Sequence, residues 1–394
     1  MRAPIRSVAL QRCDSFVGRT TNWLYDHLRF VDRYTPVVLC ETLTNRDEFP
    51  VLKARSFNSH KLSRRLWRRL THLDIYPSDL LWIKRLKPVI LHSHFGYVAT
   101  EDLQLIRRLG LPWIVSFYGA DLYQLGIVDG RRDTYAQVFQ RATMVLALGP
   151  VMAAELANRL SCSEEKIVVH PLGVDVTILP TKPRVKQPKE PLQVLYAGTF
   201  REKKGVQYVI RGCALALKAG VSLQLHLVGD AGPKPGDRET KDAILREIQD
   251  LNISHVVRLY SFLSFRELLR VALDAHVFVA PSVTALDGDA EGTPFVLQQM
   301  MGTAMPAVAT LHSDIPFLFG EHAHLLVPER DAEAIAARLT FYARHPAALV
   351  EHGALLREQI LRFFEVRASA SRLSALYERA LATHWETLGG KPAS

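Results

Sequence analysis

The sequence predicts an α/β protein made of two doubly wound domains, each a parallel sheet covered by helices, facing each other across a cleft. Three observations lead there. At 394 residues the chain exceeds one ordinary domain. Short β-branched runs alternate with longer helical patterns along most of its length, the pattern of parallel sheets buried on both faces. A proline- and lysine-rich stretch, ILPTKPRVKQPKEPL at residues 178–192, divides it into two halves that read alike. The expected boundaries are a first domain over residues 1–180, a linker over 181–192 and a second domain over 193–369, with a helix near 370–390 packing back on the first domain.

The elements follow in order. In the first half, strands are expected at 5–10, 36–40, 88–92, 112–117, 143–148 and 167–169. In the second half they are expected at 193–197, 222–228, 255–259, 276–280, 306–310 and 324–327. Open parallel sheets bind ligands outside the carboxyl ends of their strands, so the chemistry is sought in the loops that follow them.

Composition narrows the classes. Hydrophobic residues make up 48% and charged residues 23%, ordinary for a globular chain with sizeable cores. No apolar run is long enough to span a bilayer, and the N-terminal MRAPIRSVALQRCD lacks the continuous apolar core of a signal peptide. The four cysteines, Cys13, Cys40, Cys162 and Cys213, lie far apart, which argues against a zinc site or a disulfide framework and for a cytoplasmic setting. The net charge of +9 calls for an anionic partner: nucleic acid, anionic lipid or a phosphorylated small molecule. Residues 61–70, KLSRRLWRRL, set arginines around a leucine and tryptophan stripe. That pattern suits an interfacial helix on an acidic membrane, here the inner face of the plasma membrane, or a surface helix packed on its own domain. No basic platform with stacking aromatics is present, so nucleic acid is not an expected partner.

Three loops carry candidate chemistry. After the strand at 193–197 comes Gly198-Thr199-Phe200-Arg201-Glu202-Lys203-Lys204-Gly205, a turn with three cations in four positions at a helix N-terminus, which is an anion site by electrostatics. After the strand at 276–280 comes a loop bearing Asp287, Asp289 and Glu291, then Gly292-Thr293-Pro294 and a helix apolar on every side. Thr293 is expected as N-cap and Pro294 as first helical residue. Glu291, with no cation beside it in sequence, is free to accept hydrogen bonds from hydroxyl groups. Gln298 and Gln299 need buried partners, supplied by ligand hydroxyls or by neighbouring backbone. Asp287-Gly-Asp289 has the acid-x-acid pattern of a divalent metal site; the other reading is a solvated loop shaping the approach to Glu291, and no metal is expected. In the first half, Gly18 after the first strand permits close backbone approach to a ligand. His92 and His94 share one face of a strand end, with Asp121 downstream; one histidine is read as packed and the other, His94, as facing the cleft.

Together these motifs resemble the retaining nucleotide-sugar glycosyltransferases of the GT-B fold, group 1 (family 4), which are built from two Rossmann-like domains. The resemblance rests on Tyr196-Ala-Gly through Lys204-Gly205, Leu227-Val-Gly-Asp230, Ala280-Pro-Ser282, Glu291-Gly-Thr-Pro294 and Ala304-Met-Pro-Ala-Val-Ala-Thr310. In the first half it rests on Leu91-His-Ser-His-Phe-Gly96, Ser116-Phe-Tyr-Gly-Ala-Asp121 and His170-Pro-Leu-Gly-Val-Asp175, similar to members making bacterial exopolysaccharide, colanic acid or lipopolysaccharide.

The resemblance implies that Glu291 holds donor-sugar hydroxyls and that the amides of Gly292, Thr293 and Pro294's neighbourhood hold sugar or diphosphate. It also implies that Lys204, with the neighbouring Arg201, neutralises the leaving diphosphate, that the Gly18 loop faces the donor, and that Tyr118 stands next to the reacting sugar. Lys203 joins the donor-binding candidates by its place in the same turn, and His94 and Asp121, read from their strand-end positions, join Glu291 and Tyr118 as catalytic candidates. Three positions depart from the family pattern. Gln299 stands where a second glutamate usually grips the ribose, Thr199 where arginine is frequent, and Tyr118 where many relatives have histidine. The implied reaction moves a sugar from a nucleotide diphosphate to an acceptor hydroxyl of a lipid-linked or cell-surface glycan, with retention, no cofactor and no metal. A catalytically silent sugar-nucleotide or glycan-binding protein and a nucleotide-sugar epimerase share the architecture and stay open at this point.

Overall fold

The computed structural model describes residues 6–18, 22–45, 49, 52–56, 67, 77–124, 131–232, 236–387 and 389. The arginine-rich stretch 61–70 lies, apart from Trp67, outside them. Two compact units are formed: Met1–Gly173 with Val366–Ser394, and Val174–Glu365.

The first unit holds a seven-stranded parallel sheet built of β1 (Val8–Phe16), β2 (Thr35–Leu43), β3 (Lys53–Ser56), β4 (Pro88–His94), β5 (Trp113–Ser116), β6 (Met144–Ala147) and β7 (Ile167–Val169). Their order is β3-β2-β1-β4-β5-β6-β7. Helices α1 (Asn22–Arg29), α2 (Pro77–Leu86), α3 (Gly96–Leu109), α4 (Ala120–Tyr123), α5 (Arg131–Arg141) and α6 (Pro150–Leu160) connect the strands. The central strands read as continuous apolar runs because both faces are covered: all four residues of β5 and all four of β6 are buried. β3, sequence KARS, was not expected; its Lys, Ala, Arg and Ser carry no β-branched signal, and only pairing at the sheet edge makes it a strand.

The second unit holds a five-stranded parallel sheet of β8 (Leu192–Ala197), β9 (Leu223–Val228), β10 (Val257–Tyr260), β11 (Val277–Ala280) and β12 (Ala307–Ala309), ordered β10-β9-β8-β11-β12. Its helices are α7 (Val206–Lys218), α8 (Asp237–Asp250), α9 (Phe265–Asp274), α10 (Phe295–Gly302), α11 (Ile315–Phe319), α12 (Ala332–Arg344) and α13 (Ala347–Phe363). Alternation along β8 feeds two cores. Val194 and Tyr196 pack with Val209, Ile210, Ile244 and Leu339, while Leu195 and Ala197 pack with Leu297, Met301, Leu318 and Ile360. The strand expected at 324–327 is instead the end of a 3-10 turn, Gly320–Leu325, with one isolated bridge from Val327 to Thr310; the apolar run is too short to add a full strand.

The stretch expected as a linker is packed onto the second unit. Arg184, 1% exposed, donates from Nη1 to the carbonyls of Ala272 (2.8 Å), Leu273 and Ala275, and from Nη2 to Thr303 Oγ1 (2.8 Å). A guanidinium that finds carbonyl acceptors this way overrides the proline-rich composition around it. The chain passes to the first unit again at Val366, and α14 (Val366–Thr387) completes it.

Candidate functional site

In the second unit the chain lays β9 and β10 on one side of β8, then β11 and β12 on the other, so the switch point lies between β8 and β11. Loops diverge there and leave room for a ligand. β8 runs through Gly198–Arg201 into a 3-10 turn, Glu202–Lys204, closed by Gly205 in the left-handed region at φ 63°. A Cβ on Gly205 would lie 1.8 Å from the carbonyl oxygen of Pro281, so only glycine lets the loop after β8 rest on the loop after β11.

That contact carries two lysines to the acidic loop. Lys203 Nζ lies 3.0 Å from Asp289 Oδ1, 3.2 Å from Glu291 Oε1 and 3.2 Å from the carbonyl of Ala290. Lys204 Nζ lies 2.9 Å from Glu291 Oε2. The charges are mutually sustaining. Burial disfavours ionised Glu291, yet the two ammonium groups outweigh it and hold the carboxyl well below its ordinary range. Burial likewise pulls on Lys203, and the carboxylates of Glu291 and Asp289 win, raising its pKa. Glu291 is therefore an oriented anion, with Lys203 buried behind it and Lys204 the more exposed of the pair.

Two expectations change here. Glu291 is not without cations: sequence distance hid partners 87 and 88 residues away that the loop contact brings in. The three cations are not an open anion trap either, because Arg201 pairs with Asp237 at 3.3 Å and the lysines pair with Asp289 and Glu291. Asp289 is 5% exposed and salt-bridged rather than solvated, its N–H bonded to Asp287 Oδ1 at 2.9 Å. Among the described residues no group of three or more His, Cys, Asp or Glu side chains is arranged to hold a metal ion.

Beyond Glu291, the helix begins one residue later than expected. Pro294 occupies the N-cap position in an extended conformation, and Thr293 Oγ1 is buried with no partner instead of capping. Gly292, Thr293 and Pro294 are all buried beside the helix start. Gln299 is 8% exposed; Gln298 is fully buried, its Nε2 3.5 Å from the Thr293 carbonyl and its Oε1 unpartnered. The Tyr196 hydroxyl is also buried without a partner, close to where a side chain on Gly198 would stand. Thr199 sits at the turn, its methyl against Gly232.

The backbone N–H of Glu291 has a partner that sequence reasoning missed. It donates to His312 Nε2 at 3.0 Å, and His312 Nδ1 lies 2.6 Å from Glu329 Oε1. His312 follows β12, so applying the strand-end rule to that strand as well would have flagged it. Asp237, the first residue of α8, and Glu329, in the turn before α12, left no such signal.

In the first unit the switch point falls between β1 and β4. His94, at the end of β4, is 2% exposed, with Nδ1 2.7 Å from the Tyr118 hydroxyl and Nε2 3.0 Å from Gln11 Oε1. His92 Nδ1 meets the Tyr377 hydroxyl at 2.9 Å and its Nε2 meets Ser116 Oγ at 2.8 Å. The rings of His92 and His94 are 4.1 Å apart. Burial, with His27 nearby, drops His94 to about 3, so the imidazole is neutral at physiological pH. With Nε2–H donating to the Gln11 carbonyl oxygen, Nδ1 accepts from Tyr118, and the tyrosine is fixed as donor. Both histidines line a small cavity of about 10 Å³ with Trp23, His27 and His170, room for about one water molecule. Gln11 and Tyr377 were not anticipated, although a glutamine inside the apolar run Val8-Ala-Leu-Gln-Arg-Cys was a readable signal.

Asp121 does different work from the catalytic role expected of it. Fully buried, it accepts from the backbone N–H of Gly96 (2.9 Å), Tyr118 (3.0 Å) and Gly119 (2.9 Å), and so ties the loop after β5 to the start of α3. Its lone pairs are committed to shaping the loop that carries Tyr118. Gly18 follows β1, where the carbonyl of Val17 accepts from Asn45 Nδ2 at 2.9 Å; residues 19–21 beyond it lie outside the described residues.

Two parallel α/β sheets with polar clusters at both switch points define the class, and comparison with known proteins agrees. The model described as Glycosyltransferase Family 4 matches residues 28–178, and that described as Glycosyl transferases group 1 matches residues 191–344. The chain belongs to the group 1, family 4 glycosyltransferases. It is 30% identical over 296 residues to WcaL of Salmonella typhimurium, named as a colanic acid biosynthesis glycosyltransferase, covering 73% of this chain and 69% of that one. To the protein of the same name from Escherichia coli K12 it is 32% identical over 256 residues, 64% of this chain and 61% of the relative's own length. The amylovoran biosynthesis glycosyltransferase AmsK of Erwinia amylovora is 29% identical over 73% of this chain and 69% of its own. In fold the chain is similar to Anabaena Alr3699/HepE, solved in complex with UDP-glucose, at a TM-score of 0.76 and 14% identity, over 95% of this chain and all of that one.

Proposed function

We propose that the chain transfers a sugar from a nucleotide-diphosphate sugar to a hydroxyl of a glycan or lipid-linked acceptor in bacterial surface polysaccharide synthesis, with the anomeric configuration kept. The observation that carries this reading is the Lys203–Glu291–Lys204 cluster at the β8/β11 switch point. A carboxylate held ionised between two ammonium groups accepts hydrogen bonds from vicinal sugar hydroxyls, and charge-assisted bonds of this kind are the strong ones. Lys204 has a second task. A departing diphosphate competes with Glu291 for its ammonium, so charge developing on the leaving group meets a cation already in place. The leaving phosphate oxygen takes the proton of the incoming hydroxyl, and no protein base is assigned.

Relatives named for colanic acid and amylovoran biosynthesis, and a structural neighbour solved with UDP-glucose, support the substrate class. Tyr118 is proposed for the acceptor side, presenting a hydroxyl rather than a base, with the buried His94 behind it orienting that hydroxyl. Arg201, Thr199, Gly18 and Gln299 are proposed to touch the nucleotide. Among the described residues no helix is long and apolar enough to cross a membrane. Attachment to an anionic leaflet is proposed to rest on residues 61–70. The deciding experiment is transfer from a panel of sugar nucleotides by wild type, Glu291→Ala and Lys204→Ala. Each variant should lose roughly two to three decades of rate with its fold intact; near-normal turnover in both removes the cluster from the reaction.

A further inference from the structure

We propose that His312 is a positioning residue for the donor sugar: it sets the place of Glu291 by accepting that residue's backbone N–H, and Glu329 sets the tautomer that makes this possible. The proposal rests on the reading of Glu291 as the group that holds sugar hydroxyls.

The geometry points one way. His312 is 1% exposed, so neither ring nitrogen turns to water for a partner. An amide N–H can only donate, and at 3.0 Å from Nε2 it requires a lone pair there. The proton of the neutral ring then belongs on Nδ1, which lies 2.6 Å from Glu329 Oε1. Glu329 is itself held: its Oε2 accepts from the backbone N–H of Thr284 at 3.0 Å and lies 3.4 Å from Arg330 Nη1. Arg330 also bonds the carbonyl of Thr284. The chain of contacts therefore runs from the segment before α12, through an imidazole after β12, to the residue preceding the Gly292 turn. The side chain of Glu291 is fixed by two lysines; without His312 its backbone N–H would lose this acceptor, and the carboxylate would have one anchor fewer when sugar hydroxyls compete with Lys204. A ring with its proton on Nε2 would set N–H against N–H and push the loop away.

The two ends of the imidazole can be removed separately. In His312→Gln the amide oxygen reaches where Nε2 stands and keeps the acceptor for Glu291, while the bond to Glu329 is lost. In His312→Asn the amide N–H2 replaces Nδ1 and keeps Glu329, but nothing reaches Glu291. Binding of UDP-glucose is measured for wild type and both variants, with UDP as reference and a thermal melt of each to establish folding. The expected result is a loss of about tenfold for UDP-glucose in His312→Asn, little loss in His312→Gln, and UDP binding unchanged in both. Equal losses in the two variants, or no loss in a folded His312→Asn, overturn the proposal. Imidazole ¹⁵N spectra of the wild type give an answer that needs no donor: a proton on Nδ1 is expected, and a proton on Nε2 overturns it. Should no sugar nucleotide of the panel bind wild type better than its nucleoside diphosphate, the reading of Glu291 falls. The tautomer, together with exchange of the Glu291 amide (slow in wild type and His312→Gln, fast in His312→Asn), still decides the role of His312.

Discussion

Replacing Lys203 by methionine tests whether the charged cluster is also a structural device. The change keeps the length of the apolar stem and deletes the ammonium that stands 3.0 Å from Asp289 and 3.2 Å from Glu291. Those two carboxylate oxygens can be no more than about 6 Å apart, and at an effective dielectric of about 20 their unscreened repulsion is about 3 kcal/mol. Removing one partner of a buried ion pair costs about 3–5 kcal/mol in general. Lys204 stays on Glu291 and softens the loss, so about 3 kcal/mol at neutral pH is the expected destabilisation. The sign with pH follows from linkage. Glu291 has a folded pKa below its unfolded value, so its stabilising contribution is complete above the ordinary carboxylate range and is lost as pH falls through the depressed folded value. Lys203→Met removes much of that depression. The gap between variant and wild type should therefore be widest above about pH 5 and narrow steadily below it. All five tryptophans lie outside Val174–Glu365, so the measurement is hydrogen exchange in urea on peptides covering β8 and β11 rather than fluorescence. A loss under about 1 kcal/mol, or one that does not change with acid, would refute the argument.

The remaining predictions are briefer. Gln299→Glu should tighten binding of the nucleotide sugar several-fold, because a carboxylate bond to a ribose hydroxyl is worth about 1 kcal/mol more than an amide bond; unchanged affinity by calorimetry would mean that the amide does not touch the ribose. Gly205→Ala should cost about 2–3 kcal/mol and slow transfer, since the new methyl is strained at φ 63° and collides with Pro281. Urea unfolding of the second unit checks the first half and initial rates the second. Replacing Arg64, Arg65, Arg68 and Arg69 together with glutamine should release the protein from anionic liposomes in a sedimentation assay, and equal sedimentation ends the membrane proposal.

Much of the fold was legible because parallel strands buried on both faces write themselves as apolar runs, and the strand ends then point to loops. By that route Glu291, Lys203, Lys204 and His94 stand out as candidates. What the sequence hid was pairing. Nothing local tells Lys203 that Asp289 is its partner, or that Arg201 is taken by Asp237; those contacts depend on Gly205 letting two loops touch. Asp121 misled because a carboxylate beside a strand end looks alike whether it receives a substrate or three backbone amides. β3 and Arg184 escaped for a related reason, since edge pairing and carbonyl acceptors far along the chain outweigh local propensity.

The return of α14 to the first unit has a consequence for biosynthesis. Tyr377, which hydrogen-bonds His92 and Gln11, leaves the ribosome after every residue of Val174–Glu365. The domain that begins first is therefore completed last, and until then its imidazoles face an unfilled seam where a nascent chain is open to chaperones and proteases.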